Sequence, residues 1–244
     1  MSELMFYGKP VALNRNQHKQ LGFKPYRRFG FAAQINSTPL AGVEFFEASR
    51  DYPILFKPGA GDEFFALALL SLSNQHNSQL DDEGQWKNSY IPAFVRRYPF
   101  ALTGDGTVCF DEQADAFAEQ ASDDYPPLFD EDGNNGAPLD NIIRFLQQYD
   151  AEIKRSREFC QALQAQDLLR PFNVQLAKDQ QAAVRLEGLF IIDEQKLNAL
   201  DDATISDWFR KGWIAWSYAH LHSLGALTRL LNNSPLSGDK PTVQ

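Results

Sequence analysis

The side chains best suited to chemistry gather in residues 90–102, which read YIPAFVRRYPFAL. Arg96 and Arg97 stand together, flanked by Tyr90, Phe94 and Tyr98. Guanidinium groups among large rings are the composition of protein-binding surfaces, because Arg and aromatic residues carry much of the affinity at interfaces. A positive spot in an otherwise acidic chain attracts a carboxylate or an acidic segment, and Arg holds such a group bidentately where Lys cannot. The plain alternative is packing: rings in the core, guanidinium groups paired at the edge. Arg27 and Arg28, beside Tyr26 and Phe29, form a weaker copy of the same pattern.

Other candidates fail on spacing. His220 and His222 lie two apart in a segment whose apolar residues recur at helical steps. On a helix that spacing turns them about 200° apart, so they face away from each other. His18 and His76 open no H-x-D or H-x-E motif of a mononuclear iron site. Asp130, Asp132 and Asn134 copy the start of a calcium loop, but Asn135 stands where glycine is needed and Asn141 where a bidentate Glu is needed. Gly59-Ala60-Gly61 has no following Lys-Ser/Thr, so a hairpin turn explains it better than a phosphate loop. There is no G-x-S-x-G. Cys109 and Cys160 have apolar neighbours and read as packing thiols. No metal and no cofactor is expected, and no catalytic residue is identified.

The elements that position these residues follow from periodicity and turn signals. Residues 1–25 form an irregular arm. Residues 29–35, 40–46 and 52–56 have strand character. Residues 57–62 are a strong turn, so 52–56 and 63–72 form a β-hairpin. Pro92 and Pro99 keep residues 90–102 out of a central strand, leaving a short helix or an edge segment, and 107–110 closes the region as a strand. Residues 139–163 carry apolar side chains every three or four positions after Pro138, the pattern of an amphipathic helix. Residues 172–176 and 184–192 flank a polar turn at 178–181 as a second hairpin. Residues 201–208 and 213–231 are two closing helices parted by Gly212.

The expected fold class is α+β: a mainly antiparallel sheet from the first half, packed with or extended by helices from the second. The organisation is a strand-rich region (1–112), an acidic connecting loop (113–137), a helix-rich region with a hairpin (138–233) and a frayed tail (234–244). Together these make one integrated domain. The 244 residues suffice for a sizeable core. A net charge of −9 disfavours a nucleic-acid binder, which needs a basic footprint. No apolar run is long enough to insert in a membrane. The N-terminus lacks the pattern of a Sec-type signal, and two distant cysteines suit a reducing compartment, so a soluble cytoplasmic protein is expected.

Several segments also carry a family resemblance: KPVALNRNQHK, FGFAAQINSTPLAGVEF, YPILF, YIPAFVRRYPFAL, PLFDEDG, FCQALQAQDLLRP, GLFIIDEQKLNAL and WSYAHLHSLGALTRLL. In this order, over nearly the whole chain, they resemble the SapC family of bacterial proteins. The resemblance implies an accessory or binding role near TonB-dependent uptake and near flavin-dependent halogenase-like and cupin-like proteins, with a protein or peptide partner. It supplies no catalytic residues. An enzyme acting on a peptide or small metabolite is the alternative. A surface-layer association, carried by the family label, is a third.

Overall fold

The computed structural model describes residues 5–176 and 184–233. The tail 234–244 and the polar turn at 178–181 lie outside the described residues. The arm contributes two short strands, β1 (Pro10–Ala12) and β2 (Gly22–Phe23), followed by β3 (Ser37–Pro39). A short helix α1 (Phe45–Ala48) leads to β4 (Ile54–Pro58) and β5 (Phe64–Leu69). Then come α2 (Ala93–Arg96), β6 (Phe100–Leu102), β7 (Val108–Asp111) and β8 (Phe117–Ala118). The second half holds α3 (Ala137–Ala165), β9 (Leu169–Pro171), β10 (Val174–Leu176), β11 (Val184–Leu186) and β12 (Phe190–Ile192). Helices α4 (Glu194–Asn198), α5 (Asp202–Lys211), α6 (Trp213–Ser223) and α7 (Ala226–Asn233) close the described chain.

The architecture is α+β with antiparallel pairing, strands mostly in the first half and helices in the second. The main sheet runs β3-β5-β4-β12-β9, so two strands of the second half extend a sheet begun in the first. At its centre the β4–β5 hairpin pairs Ile54 with Ala68 and Pro58 with Phe64. Gly61 makes the turn at φ +67°, a left-handed conformation that suits a residue without Cβ. Strand β4 is buried on both faces. Ile54 and Phe56 join a ring-rich core with α3 and α6, while Leu55 faces Leu67, Ile191 and Leu230 on the other side. A smaller sheet, β1-β7-β6, forms a second core with Phe100, Phe110, Leu139 and Leu146.

Helix α3 is the connecting beam. Its 29 residues span about 44 Å at 1.5 Å per residue. Its early turns pack on the small sheet and its late turns on the main one. Pro138 sits in its first turn, where a missing N–H costs nothing. Helix α5 ends at Gly212, φ +77°.

Two segments with strand character are not strands. Residues 29–35 contain a 3-10 turn at Gly30–Ala32, because Phe29 and Phe31 insert into a ring cluster: Phe31 meets Tyr98 at 4.2 Å and Phe29 meets Trp86 at 5.8 Å. Residues 40–46 form a 3-10 turn at Gly42–Glu44 that runs into α1. Here Glu44 Oε2 accepts the Ala41 N–H at 2.9 Å, and Gly42 lies so close to Trp216 that a Cβ would stand 2.3 Å from its ring. Residues 213–231 are two helices, α6 and α7. Ser223, the last residue of the first, accepts the Ile54 N–H at 2.9 Å.

Candidate functional site

Residues 90–102 take a helix-then-edge path: α2 starts after Pro92, and β6 is an edge strand of the small sheet. A four-residue helix leaves its first N–H groups without internal partners. The buried Glu44 answers one of them, accepting the Ala93 N–H at 2.7 Å and the Tyr90 hydroxyl at 2.9 Å through Oε1. Burial pushes the Glu44 carboxyl above the usual carboxylate range, against the pull of these donors. Tyr90 is pushed up to about 12 by burial and then by Glu44.

Consecutive residues on a helical turn point about 100° apart, and this sends the two arginines into different clefts. Arg97 is 7% exposed and lies over the Phe94 ring at 4.4 Å and the Tyr149 ring at 5.1 Å. It lines a cleft of about 400 Å³ between the β4–β5 hairpin tip, β6 and the middle of α3. Phe94, Leu102, Tyr149, Lys154 and Arg157 line the same cleft. Lys154 pairs with Asp150 at 2.7 Å on the exposed face of α3. Among the described lining residues, cations outnumber the carboxylates Glu63 and Asp150.

Arg96 is exposed and enters the neighbouring cleft, of about 480 Å³. Its Nε donates to the Ile91 carbonyl at 2.9 Å and its Nη2 to the Tyr90 hydroxyl at 3.2 Å. Its guanidinium carbon stands 5.8 Å from the Tyr90 ring centre and 5.3 Å from that of Phe145. Glu44, Glu47 and Glu152 line this cleft, so it is richer in carboxyls than its neighbour. Tyr149 lines both clefts and forms the ridge between them.

Tyr98 points a third way. Its hydroxyl donates to Asp111 Oδ2 at 2.9 Å, and its ring contacts Phe6, Tyr7, Tyr26 and Phe31. Burial raises the Asp111 carboxyl, but hydrogen bonds from Gly8, Lys9, Tyr98 and Gln113 outweigh it and hold the group below its usual range. The position of Tyr98 is that of a core pin behind α2. The structure thus brings Tyr90 with Arg96 and Phe94 with Arg97, and sets Tyr98 apart.

The other candidates are placed as follows. His220 is fully buried, its Nε2 accepting the Ile192 N–H at 3.1 Å, while His222 is exposed. Burial pushes His220 down to about 3. Cys160 is buried, which pushes its thiol up to about 12. Asp130 closes its own turn, accepting the Asn134 N–H at 2.7 Å. No group of three or more His, Cys, Asp or Glu among the described residues could hold a metal ion. No helix of the described residues is long and apolar enough to cross a membrane. Arg28 makes a 3.9 Å contact with Glu83, both exposed.

Sequence reasoning passed over Glu44, Phe145, Tyr149, Lys154 and Arg157. One signal was present: Glu44 is a lone charge in the apolar run AGVEFF. A charge there is buried only when it is held by donors. Tyr149 belongs to the apolar stripe of α3 and reads as core.

No curated protein and no solved structure matches the chain. The SapC family model matches residues 13–230, which takes in both cores, α3 and the two clefts, and the chain belongs to the SapC family.

Proposed function

We propose that this SapC-family protein is a cytoplasmic accessory protein that binds a segment of a protein partner across the middle of α3. One observation carries the reading. Two adjacent arginines diverge into two clefts, one richer in cations and one in carboxyls, that share Tyr149 as a ridge. A segment laid over that ridge meets rings at its centre and a cationic cleft on one side, the arrangement of a well-packed anchor with polar surroundings. A carboxylate of the partner docks in the cleft of Arg97, Lys154 and Arg157. Contacts with the Phe94 and Tyr149 rings stiffen Arg97, which lowers the ordering cost on binding.

The family resemblance points to the flavin-dependent halogenase-like proteins and TonB-dependent receptors as candidate partners. The test is co-expression of the tagged chain with the product of each adjoining gene. The expected result is co-purification with one of them, weakened at least about tenfold in Arg157→Ala, the loss of one charge-assisted contact. Co-purification at full strength in Arg157→Ala overturns the cationic cleft as the docking point. An enzyme acting on a peptide or small metabolite is the second reading. It is favoured by Glu44, a buried carboxyl with a raised pKa beside a phenol in a cleft. A metabolite retained through native purification supports that reading over the first.

A further inference from the structure

The cleft that holds Arg96 has the make-up of a cation receptor. Its walls include the rings of Tyr90 and Phe145, and its floor is the buried carboxylate of Glu44 behind the Tyr90 hydroxyl. Glu47 and Glu152 stand at its rim, each already paired with a residue three positions on, Arg50 just past the end of α1 and Arg155 on α3. Ring faces near carboxylates favour a flat, weakly hydrated cation, which is a guanidinium before an ammonium.

The native occupant is anchored at Nε, which donates to the Ile91 carbonyl at 2.9 Å, but its outer end is held loosely. Arg96 is exposed, and its two ring distances lie near the outer limit of a cation–π contact. Its bond to Tyr90 is long, 3.2 Å, and no carboxylate of the described residues lies within 4.0 Å of its guanidinium. Arg97 gives the contrast. It is buried and 4.4 Å from its nearest ring, with the geometry of a fixed residue. Of the three lining carboxyls, Glu47 and Glu152 are answered by Arg50 and Arg155, so Glu44 is the one left to face the guanidinium of the cleft.

We propose that the cleft of Tyr90, Phe145 and Glu44 is a guanidinium site, filled by Arg96 in the free protein and open to an arginine of the partner segment. Arg96 is then an exchangeable plug. The partner's arginine takes its place over the two rings, and Arg96 swings into solvent, where its hydration costs little. The inference rests on the binding role proposed above and adds the partner's chemistry: a basic residue on one side of Tyr149, an acidic one on the other.

Methylguanidinium chloride is the probe, titrated into wild type and Arg96→Ala at ionic strength matched with sodium chloride. Binding is followed by the aromatic NMR signals of Tyr90 and Phe145 and by melting temperature. The vacated cage of Arg96→Ala is expected to bind the probe saturably, at least roughly tenfold tighter than wild type, with a higher melting temperature than in sodium chloride. Tyr90→Leu added to Arg96→Ala abolishes that gain. In wild type, N-acetylargininamide shifts the Arg96 Nε–H signal as it competes for the cage. Equal binding to variant and wild type overturns the proposal. So does binding of methylammonium as tight as methylguanidinium, or an Arg96 signal that never moves. If Arg96→Ala does not fold, Arg96→Met vacates the cage while keeping the stem. These outcomes do not depend on Arg157 co-purification, which reads the neighbouring cleft.

Discussion

The two ends of α3 meet different cores. Its early turns present Leu139, Ile142, Ile143 and Leu146 to the small sheet, where they lie near Phe100 and Phe110. Its late turns present Phe159, Cys160 and Leu163 to the main sheet, and the Phe159 ring alone has five aromatic neighbours: Phe45, Phe56, Trp208, Trp213 and Trp216. The early contact sets aliphatic side chains of the helix on the rings of the small sheet. The late one is ring-on-ring and directional, which fixes the angle of the helix against the sheet. Between the two, Tyr149 faces neither core squarely and clefts open on both sides. The site occupies the stretch of helix that neither core claims.

The largest expected effect tests whether the helix joins the two cores into one cooperative unit. Phe159→Ala removes a ring that is 0% exposed and is expected to destabilise by about 3–5 kcal/mol. Leu139→Ala, at 1% exposure in the other core, is expected to lose about 2–4 kcal/mol. Urea unfolding followed by tryptophan fluorescence and by far-UV circular dichroism should give coincident transitions for both variants. All four tryptophans lie in the second half of the chain or in residue 86. Separated transitions would show that α3 does not couple the cores.

Acid probes the ring-rich end first. The folded protein holds His220 neutral down to about 3, whereas the unfolded chain takes up a proton near 6.5. Its contribution is therefore complete above pH 6.5 and is lost as pH falls from 6.5 toward 3, at roughly 1.4 kcal/mol per unit. By pH 4.5 the loss reaches about 2–3 kcal/mol. Asp111, held below its usual range, adds a loss only at the lower end of that window. Glu44, held above its usual range, works the other way, since its burial penalty fades as it protonates. His220→Gln keeps an acceptor for the Ile192 N–H and cannot titrate. Its stability between pH 6.5 and 4.5 should be much flatter than that of wild type. An unchanged slope would remove His220 from the acid response.

In the middle of the helix, Arg97→Ala is expected to cost about 1–2 kcal/mol, from a buried stem and two ring contacts. Urea midpoints at equal slope measure it. A loss below about 0.5 kcal/mol would mean that the rings close up without the guanidinium.

Much of this arrangement was legible in the sequence, for local reasons. The β4–β5 hairpin announced itself through the turn at 57–62 and the apolar run that follows, and α3 through twenty-five residues of helical spacing after Pro138. Failures came where tertiary contacts set the local shape. Residues 40–46 look like a strand because Leu40, Val43, Phe45 and Phe46 are β-formers, yet Glu44 capping and the approach of Gly42 to Trp216 curl them into a turn. Helix α4 went unread, although Asp193 marks it by accepting the Gln195 and Lys196 N–H groups. In the site, residue types pointed to residues 90–102, but the divergence of Arg96 from Arg97 depends on α2 being helical. The ridge at Tyr149 and the cation-rich side of α3 are set by packing against a hairpin about ninety residues away in sequence, which no local pattern reports.

The smallest expected effect is the most telling about the site. Arg96 and Arg97 share a helical turn, a charge and an aromatic setting, and differ in burial and in how close their rings are. Exposed contacts of this kind contribute little, because solvent screens the charge and the side chain loses rotamer freedom to make them. Arg96→Ala should therefore change stability by less than about 0.5 kcal/mol, well below Arg97→Ala under the same urea titration. Tyr90 keeps its bond to Glu44 when Arg96 is gone, so no buried donor is orphaned. That is why the substitution is expected to be silent in folding while emptying the cage. If Arg96→Ala instead destabilised as much as Arg97→Ala, the two arginines would be equivalent struts. The contrast between a fixed and an exchangeable guanidinium would then fail, and with it the reason to look for a partner's arginine in that cleft.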